Sequence, residues 1–161
     1  MEDKTTNFFR FEDLRIYTKA LDYNRWLLKH LPQSTNDCER KVIESLCCSS
    51  MDIALNIVEG SSRNKTQFDQ YLRVAKTAMK ECLVYTEIAF NIGLIDTEDR
   101  QKSRDYITEL MRMISALIIS LQRSVHRQKE RTFDEEFSQQ ALEYDSLDSQ
   151  TSTLDDAEPQ F

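Results

Sequence analysis

Glycine and proline are almost missing from this sequence: there are two of each in 161 residues. Both disfavour a helix interior, glycine through entropy and proline through a lost donor and a steric clash, so long stretches are left free to coil. Gly60 and Gly93 stand far apart, which excludes a glycine-rich phosphate-binding loop. Long apolar runs are missing too. The longest, such as Ile114–Leu121, are interrupted by polar residues well short of the 18 or more that a membrane span needs, so no membrane association is expected. Met1-Glu2-Asp3-Lys4 lacks the basic and apolar regions of a signal peptide, and the chain is expected to stay in the cytoplasm. Cys38, Cys47, Cys48 and Cys82 show neither C-x-x-C spacing nor a histidine cluster nearby. No metal or other cofactor is therefore expected, and the four read as small buried apolar residues of a reducing compartment. The only histidines, His30 and His126, suit helix-end or surface roles better than a catalytic pair. No serine lies in a G-x-S-x-G turn.

Charge is plentiful, and its sign depends on position. All 21 basic residues lie at or before Arg131 with 19 acidic ones, giving +2 over residues 1–132. Nine acidic residues and no basic one give −9 over 133–161, so the total of −7 misrepresents the body of the chain. A domain of this length buries about 68–70% of the surface its unfolded chain exposes, enough to fold without a metal or a disulfide.

Within the body, apolar residues recur every three or four positions, the spacing of helices and not of strands. The pattern predicts helices over about 13–31, 37–59, 65–92 and 97–131, after an N-terminal arm of 1–12. The first carries Leu14, Tyr17, Leu21, Asn24, Leu27 or Leu28 and Leu31 on one stripe, and Pro32 stops it. The second opens on a capping box of Asn36 with Glu39, carries Val42, Ile43, Leu46, Cys47, Ser50, Ile53, Ala54 and Ile57 on its buried side, and ends at Gly60 as a left-handed cap. The third opens on Asn64 with Gln67 and closes at Gly93. The fourth starts at Asp96 and has the most regular stripe, Tyr106 through Val125. Four amphipathic helices on short connections predict an all-α fold, an antiparallel up-down-up-down four-helix bundle. Residues 133–161 contain few apolar residues and read as a mostly disordered acidic tail, although Phe133, Phe137 and Leu142 suit a turn or two more of helix.

Several segments carry a family resemblance: Phe11-Glu12-Asp13-Leu14, Asn56-Ile57-Val58-Glu59-Gly60 with Arg63, Phe68–Leu72, Ala75–Glu81, Ile88–Leu94 and Met113–Arg123. Together they resemble the four-helix-bundle proteins encoded in intervening sequences of large-subunit ribosomal RNA genes, a family that is similar to the accessory variability protein of diversity-generating retroelements. The chain departs from that pattern at Ala54, where proline is usual, at Tyr17 in place of tryptophan, and at Thr77 in place of glycine; the loop after Gly60 is about one residue short. The resemblance implies a homo-oligomer, commonly a five-fold ring, without known catalysis. For the retroelement branch it implies partners in a reverse transcriptase and nucleic acid.

Asn56, Glu59, Gly60 and Arg63 admit two readings. Either Glu59 is an acid or base beside a substrate held by Asn56 and Arg63, or the group ties a helix corner together, with Arg63 pairing Glu59. A single carboxylate is a poor basis for general acid and base work. Basic residues offer more: Arg73, Lys76 and Lys80 share a helical row opposite the apolar stripe, preceded by Arg63 and Lys65, and Arg123, Arg127 and Arg131 form a second row. Such rows are either an ordinary solvated face or contacts for RNA or DNA phosphates, and three contacts contribute a salt slope of only about −2.7. Five copies in a ring would present on the order of fifteen. A flexible tail of 29 residues spans roughly 30 Å, so it serves either solubility or competition with nucleic acid for these rows. Phe8, Phe9, Trp26 and Ile119, apolar and outside the stripes, are candidates for a subunit interface. The expected function is a non-enzymatic oligomeric adaptor binding nucleic acid or a nucleic-acid enzyme. The alternative is a purely protein-binding scaffold.

Overall fold

Four side-chain and backbone devices decide where the helices of this chain begin and end. The structure, a computed structural model, describes residues 10–151. A short 3-10 turn, Arg10–Asp13, leads into α1 (Arg15–His30), followed by α2 (Asp37–Ser61), α3 (Lys65–Asn91) and α4 (Thr97–Thr151). The Asn36 side chain accepts from the backbone N–H groups of Cys38 and Glu39, the Asn64 side chain from Gln67, and the Asp96 side chain from Asp99. Each satisfies donors that a helix start leaves orphaned. Asn36 forms only half of the expected box: the Glu39 carboxylate accepts from the Ser34 hydroxyl instead. At the end of α3 the Gly93 N–H donates to Phe90 O and the Leu94 N–H to Ala89 O, with Gly93 at φ 77°. That pairing is a Schellman motif, and the positive φ is why glycine stands there.

Gly60 does not play the same part. It lies inside α2, one residue before the helix ends, and has no positive φ. It is buried where α2 meets α3: a Cβ built on it would stand 2.7 Å from both Phe68 Cδ2 and Tyr71 Cβ. The expected left-handed cap is therefore a close-packing glycine, and α2 ends at Ser61 with Ser62 in ordinary right-handed geometry.

Two compact units are distinguished, Met1–Gln122 and Arg123–Phe161. The first contains an all-α four-helix bundle whose core gathers Ile16, Tyr23 and Leu27 of α1, Leu46, Ile53 and Ile57 of α2, Leu72, Met79 and Cys82 of α3, and Ile107, Leu110 and Ile114 of α4. Each fully buried Leu, Ile or Met stabilises the fold by about 1.5–3 kcal/mol before entropy is counted. Cross-helix contacts give the directions. Lys19–Glu109 and Tyr23–Ser103 step in opposite senses along α1 and α4, and Lys76–Ser115 and Thr86–Ser103 do so along α3 and α4. Ser49–Glu81 and the Gly60–Phe68 contact show the same for α2 and α3.

Polar groups inside the core are paired with one another. The Ser103 hydroxyl bridges the Tyr23 hydroxyl and the Thr86 hydroxyl, 2.8 Å to each, joining α1, α3 and α4. Asn24 donates to Ser50 O at 2.9 Å and accepts from the Ser50 hydroxyl at 2.8 Å, joining α1 to α2. These bonds discriminate between registers, because a slip of one residue would leave buried polar groups unpaired at about 1–3 kcal/mol each.

Three expectations change. Leu21 and Leu28 are exposed, so the α1 stripe is narrower than its spacing suggests. Cys38 and Cys48 are exposed too, and only Cys82 is buried. Finally, α4 does not stop near Arg131 but runs to Thr151, so 133–151 of the expected tail is helical. The segment 132–151 contains neither glycine nor proline, and residues such as Gln, Glu, Ala and Leu favour helix by their own propensity. The last ten residues of the tail, 152–161, lie outside the described residues, as do Phe8 and Phe9.

Candidate nucleic-acid interface

The helical spacing that set Arg73, Lys76 and Lys80 in one row does not give them one environment. Arg73 is held on its own helix by Asp69, Nε to Oδ2 at 3.0 Å. Lys76 turns toward α4, where its Nζ donates to the Ser115 hydroxyl at 3.1 Å, so it is half-buried and not on the solvent face expected for it. Lys80 is exposed. Upstream, Arg63 forms an ion pair with Glu59 one turn back, and this neighbour raises the already high pKa of the guanidinium. Lys65 is exposed at the first turn of α3.

Asn56 donates to Asp52 O on its own helix at 2.8 Å, half-buried, and Gly60 supplies the close approach described above. Asn56, Glu59, Gly60 and Arg63 thus lie on successive turns of one helix end and engage it or each other.

The second unit carries the other basic row. Arg123, Arg127 and Arg131 are all exposed on α4, and Arg127 Nε donates to Arg123 O at 3.4 Å. No carboxylate pairs with any of the three among the described residues. His126, on the same segment, approaches Glu130 at 3.4 Å.

Trp26 is not the exposed contact residue expected from the sequence. It is half-buried between Tyr106, at 5.8 Å between ring centroids, and His30, stacked at 5.2 Å. The His30 Nδ1–H donates to Trp26 O at 2.9 Å. Lys19 and Lys102 both approach the Tyr106 ring, at 5.1 and 5.7 Å. Ile119 is 48% exposed, as is Ile92.

Sequence reasoning missed two features. Met51 and Leu55, 44% and 62% exposed, give α2 an apolar outer surface beside Cys48 and the half-buried Val58. Their three- and four-residue spacing was legible, but it sits on the side of α2 away from its core stripe. The other is Arg112, exposed on α4 one turn before Ser115; it lies in no basic run, and only the approach of α3 brings Lys76 near it.

A second electrostatic cluster is structural in character. Arg100 and Arg104 both bind the Glu87 carboxylate, and Arg100 also lies over the Phe90 ring at 4.6 Å. The hydrogen bond from Arg100, then that from Arg104, holds the Glu87 carboxyl below its usual range. Among the described residues no helix is long and apolar enough to cross a membrane, and no three His, Cys, Asp or Glu side chains are grouped to hold a metal ion.

A family model described as 23S rRNA-intervening sequence protein matches residues 12–116, which takes in α1, α2, α3 and the bundle part of α4 up to Ala116. No curated protein matches the chain.

Proposed function

This chain belongs to the 23S rRNA-intervening sequence protein family, and from that premise we propose that it is a non-enzymatic, oligomeric helical adaptor that binds nucleic acid through cations on its helices. The observation that carries the reading is the row of Arg123, Arg127 and Arg131: three exposed guanidinium groups at four-residue spacing with no carboxylate partner among the described residues. A guanidinium meets phosphate through a planar fork of donors, and an unpaired one gives up nothing in the protein to do so. Arg63 and Arg73, each already held by an acid, are weaker contributors. The proposed assembly belongs to the same reading. Three contacts bind weakly, whereas several copies of the row in one oligomer multiply the contacts to a single strand or duplex. The outward Met51 and Leu55 of α2, with Leu21 and Leu28 of α1, provide apolar surface for that assembly.

A purely protein-binding scaffold is the second reading, and the same apolar surface favours it. Fluorescence anisotropy with a labelled RNA hairpin, between about 50 and 200 mM salt, separates the two. The wild-type chain is expected to bind with an affinity that falls steeply as salt rises. The R123Q/R127Q/R131Q variant is expected to bind more weakly, its salt slope flatter by about 2.7. Absence of binding at the lowest salt, both for the full chain and after removal of residues 133–161, would leave the protein-binding scaffold.

A further inference from the structure

A groove of about 450 Å³ runs between α3 and α4 on the bundle, with Lys76, Arg112 and Ser115 along it and Leu83, Ile107 and Met111 among its apolar lining. No acidic side chain lines it. Its two cations come from different helices: Lys76 Nζ reaches the Ser115 hydroxyl at 3.1 Å, and Arg112 stands one turn, about 4.5 Å, before Ser115 along α4. Neither has a carboxylate partner among the described residues. A half-buried ammonium and an exposed guanidinium line one groove with no acid among the lining residues, a setting that favours a bound anion.

The hydrogen-bonding inventory agrees. An ammonium has three donors, and Ser115 takes one. A serine hydroxyl that accepts from an ammonium keeps its own proton to give. The groove lining therefore offers two Lys76 donors, the Ser115 proton and the guanidinium fork to an acceptor with several oxygens. The half-buried Leu83 and Met111 add apolar surface and no further charge. An anion bonded to a flat, weakly polar group matches both halves.

We infer that this groove seats one nucleotide of an unpaired nucleic-acid strand, its phosphate held by Lys76, Arg112 and Ser115 and its base laid on Leu83 and Met111. The inference rests on the nucleic-acid reading above and assigns it a second site, distinct from the α4 arginine row. The volume falls within the roughly 300–1,000 Å³ of pockets that hold small ligands. A duplex keeps its base faces stacked away and cannot use this apolar surface, whereas an unpaired base can be splayed onto it. An acidic amphipathic peptide helix fits less well. From Ile107 to Ser115 the groove covers nine residues of α4, about 12 Å, little over two helical turns. Lys80, exposed one turn from Lys76, continues the cationic track for the next phosphate.

The test uses the full chain and three probes: a short labelled single-stranded RNA, a labelled blunt-ended RNA duplex, and an acidic amphipathic peptide. The K76Q/R112Q variant is expected to lose about tenfold or more in affinity for the single strand, with a salt slope flatter by about 1.4, while duplex affinity stays unchanged. In the wild-type chain, acylation of the Lys76 amine, read by mass spectrometry, is expected to slow severalfold with the single strand bound. The exposed Lys41 of α2 serves as the unprotected control. This second measurement requires no substitution and so does not depend on how the variant folds. Equal losses for strand and duplex, an unprotected Lys76, or protection by the peptide in place of the strand would overturn the assignment. Retention of single-strand binding by K76Q/R112Q with its loss in R123Q/R127Q/R131Q would remove the groove and keep the function. Absence of binding by the wild-type chain to either RNA at low salt would remove both.

Discussion

A single methyl group is too much at Gly60. The Cβ of alanine there would stand 2.7 Å from Tyr71 Cβ, an atom fixed to the α3 backbone, so a rotamer change of Phe68 alone cannot relieve the clash. Gly60→Ala is therefore expected to cost about 1–3 kcal/mol, as overpacking does, seen as a lower urea midpoint at unchanged slope. Cys82 gives a prediction of another kind. Burial pushes its thiol up to about 12, and burial likewise raises the phenol of Tyr23. The native chain thus keeps protons that the unfolded chain releases near pH 8.5 and 10. Stability from these groups is complete below about pH 8.5 and falls as pH climbs toward 12, by at most about 1.4 kcal/mol per pH unit for each. Urea midpoints should fall between about pH 9 and 11 in the wild-type chain. Cys82→Ala should flatten the earlier part of that fall and leave the later, tyrosine-driven part.

Helix ends and helix continuity follow different physics at the scale of the element. An end needs its orphan donors satisfied, and α3 has Asn64 for that, 2.9 Å from the Gln67 N–H. Asn64→Ala should destabilise the bundle by about 1 kcal/mol and speed amide exchange in the first turn of α3 while the turns near Met79 stay protected. Continuity needs only the absence of a breaker. Between Gly93 and Pro159 the chain has none, and α4 runs through to Thr151 although its apolar stripe thins after Val125. The expected end near Arg131 weighed burial where the backbone responds to local propensity.

At the scale of the whole molecule, the charge on the bundle and the apolar residues on its outside bear on assembly. Met51 and Leu55 leave a large share of their surface in water, and burying them between copies would return roughly 25 cal/mol per Å² covered. Light scattering on the wild-type chain is expected to give a mass well above the 19.0 kDa of one copy. The double variant Met51→Glu, Leu55→Glu should fall to that single-copy mass with its helical circular dichroism intact, since both side chains lie outside the core. A wild-type mass of one copy at micromolar concentration would refute the oligomer.

Local pattern was enough to read four helices from this sequence, because apolar spacing, Asn64, Asp96, Gly93 and Pro32 each act within a turn of themselves. It was also enough to find the Arg123, Arg127, Arg131 row, whose members depend on one helix alone. Whatever involves two helices had to wait for the fold. Gly60 could have been a cap or a close approach until Tyr71 was seen against it. Arg73 and Lys76 share a row in sequence, yet Asp69 on the same helix holds one and Ser115, 39 residues away, holds the other. Trp26 looked like spare apolar surface until Tyr106 arrived from α4. Periodicity carries a residue's angle about its own axis, whereas partners and counter-ions depend on which helix comes to rest beside it, and packing alone decides that.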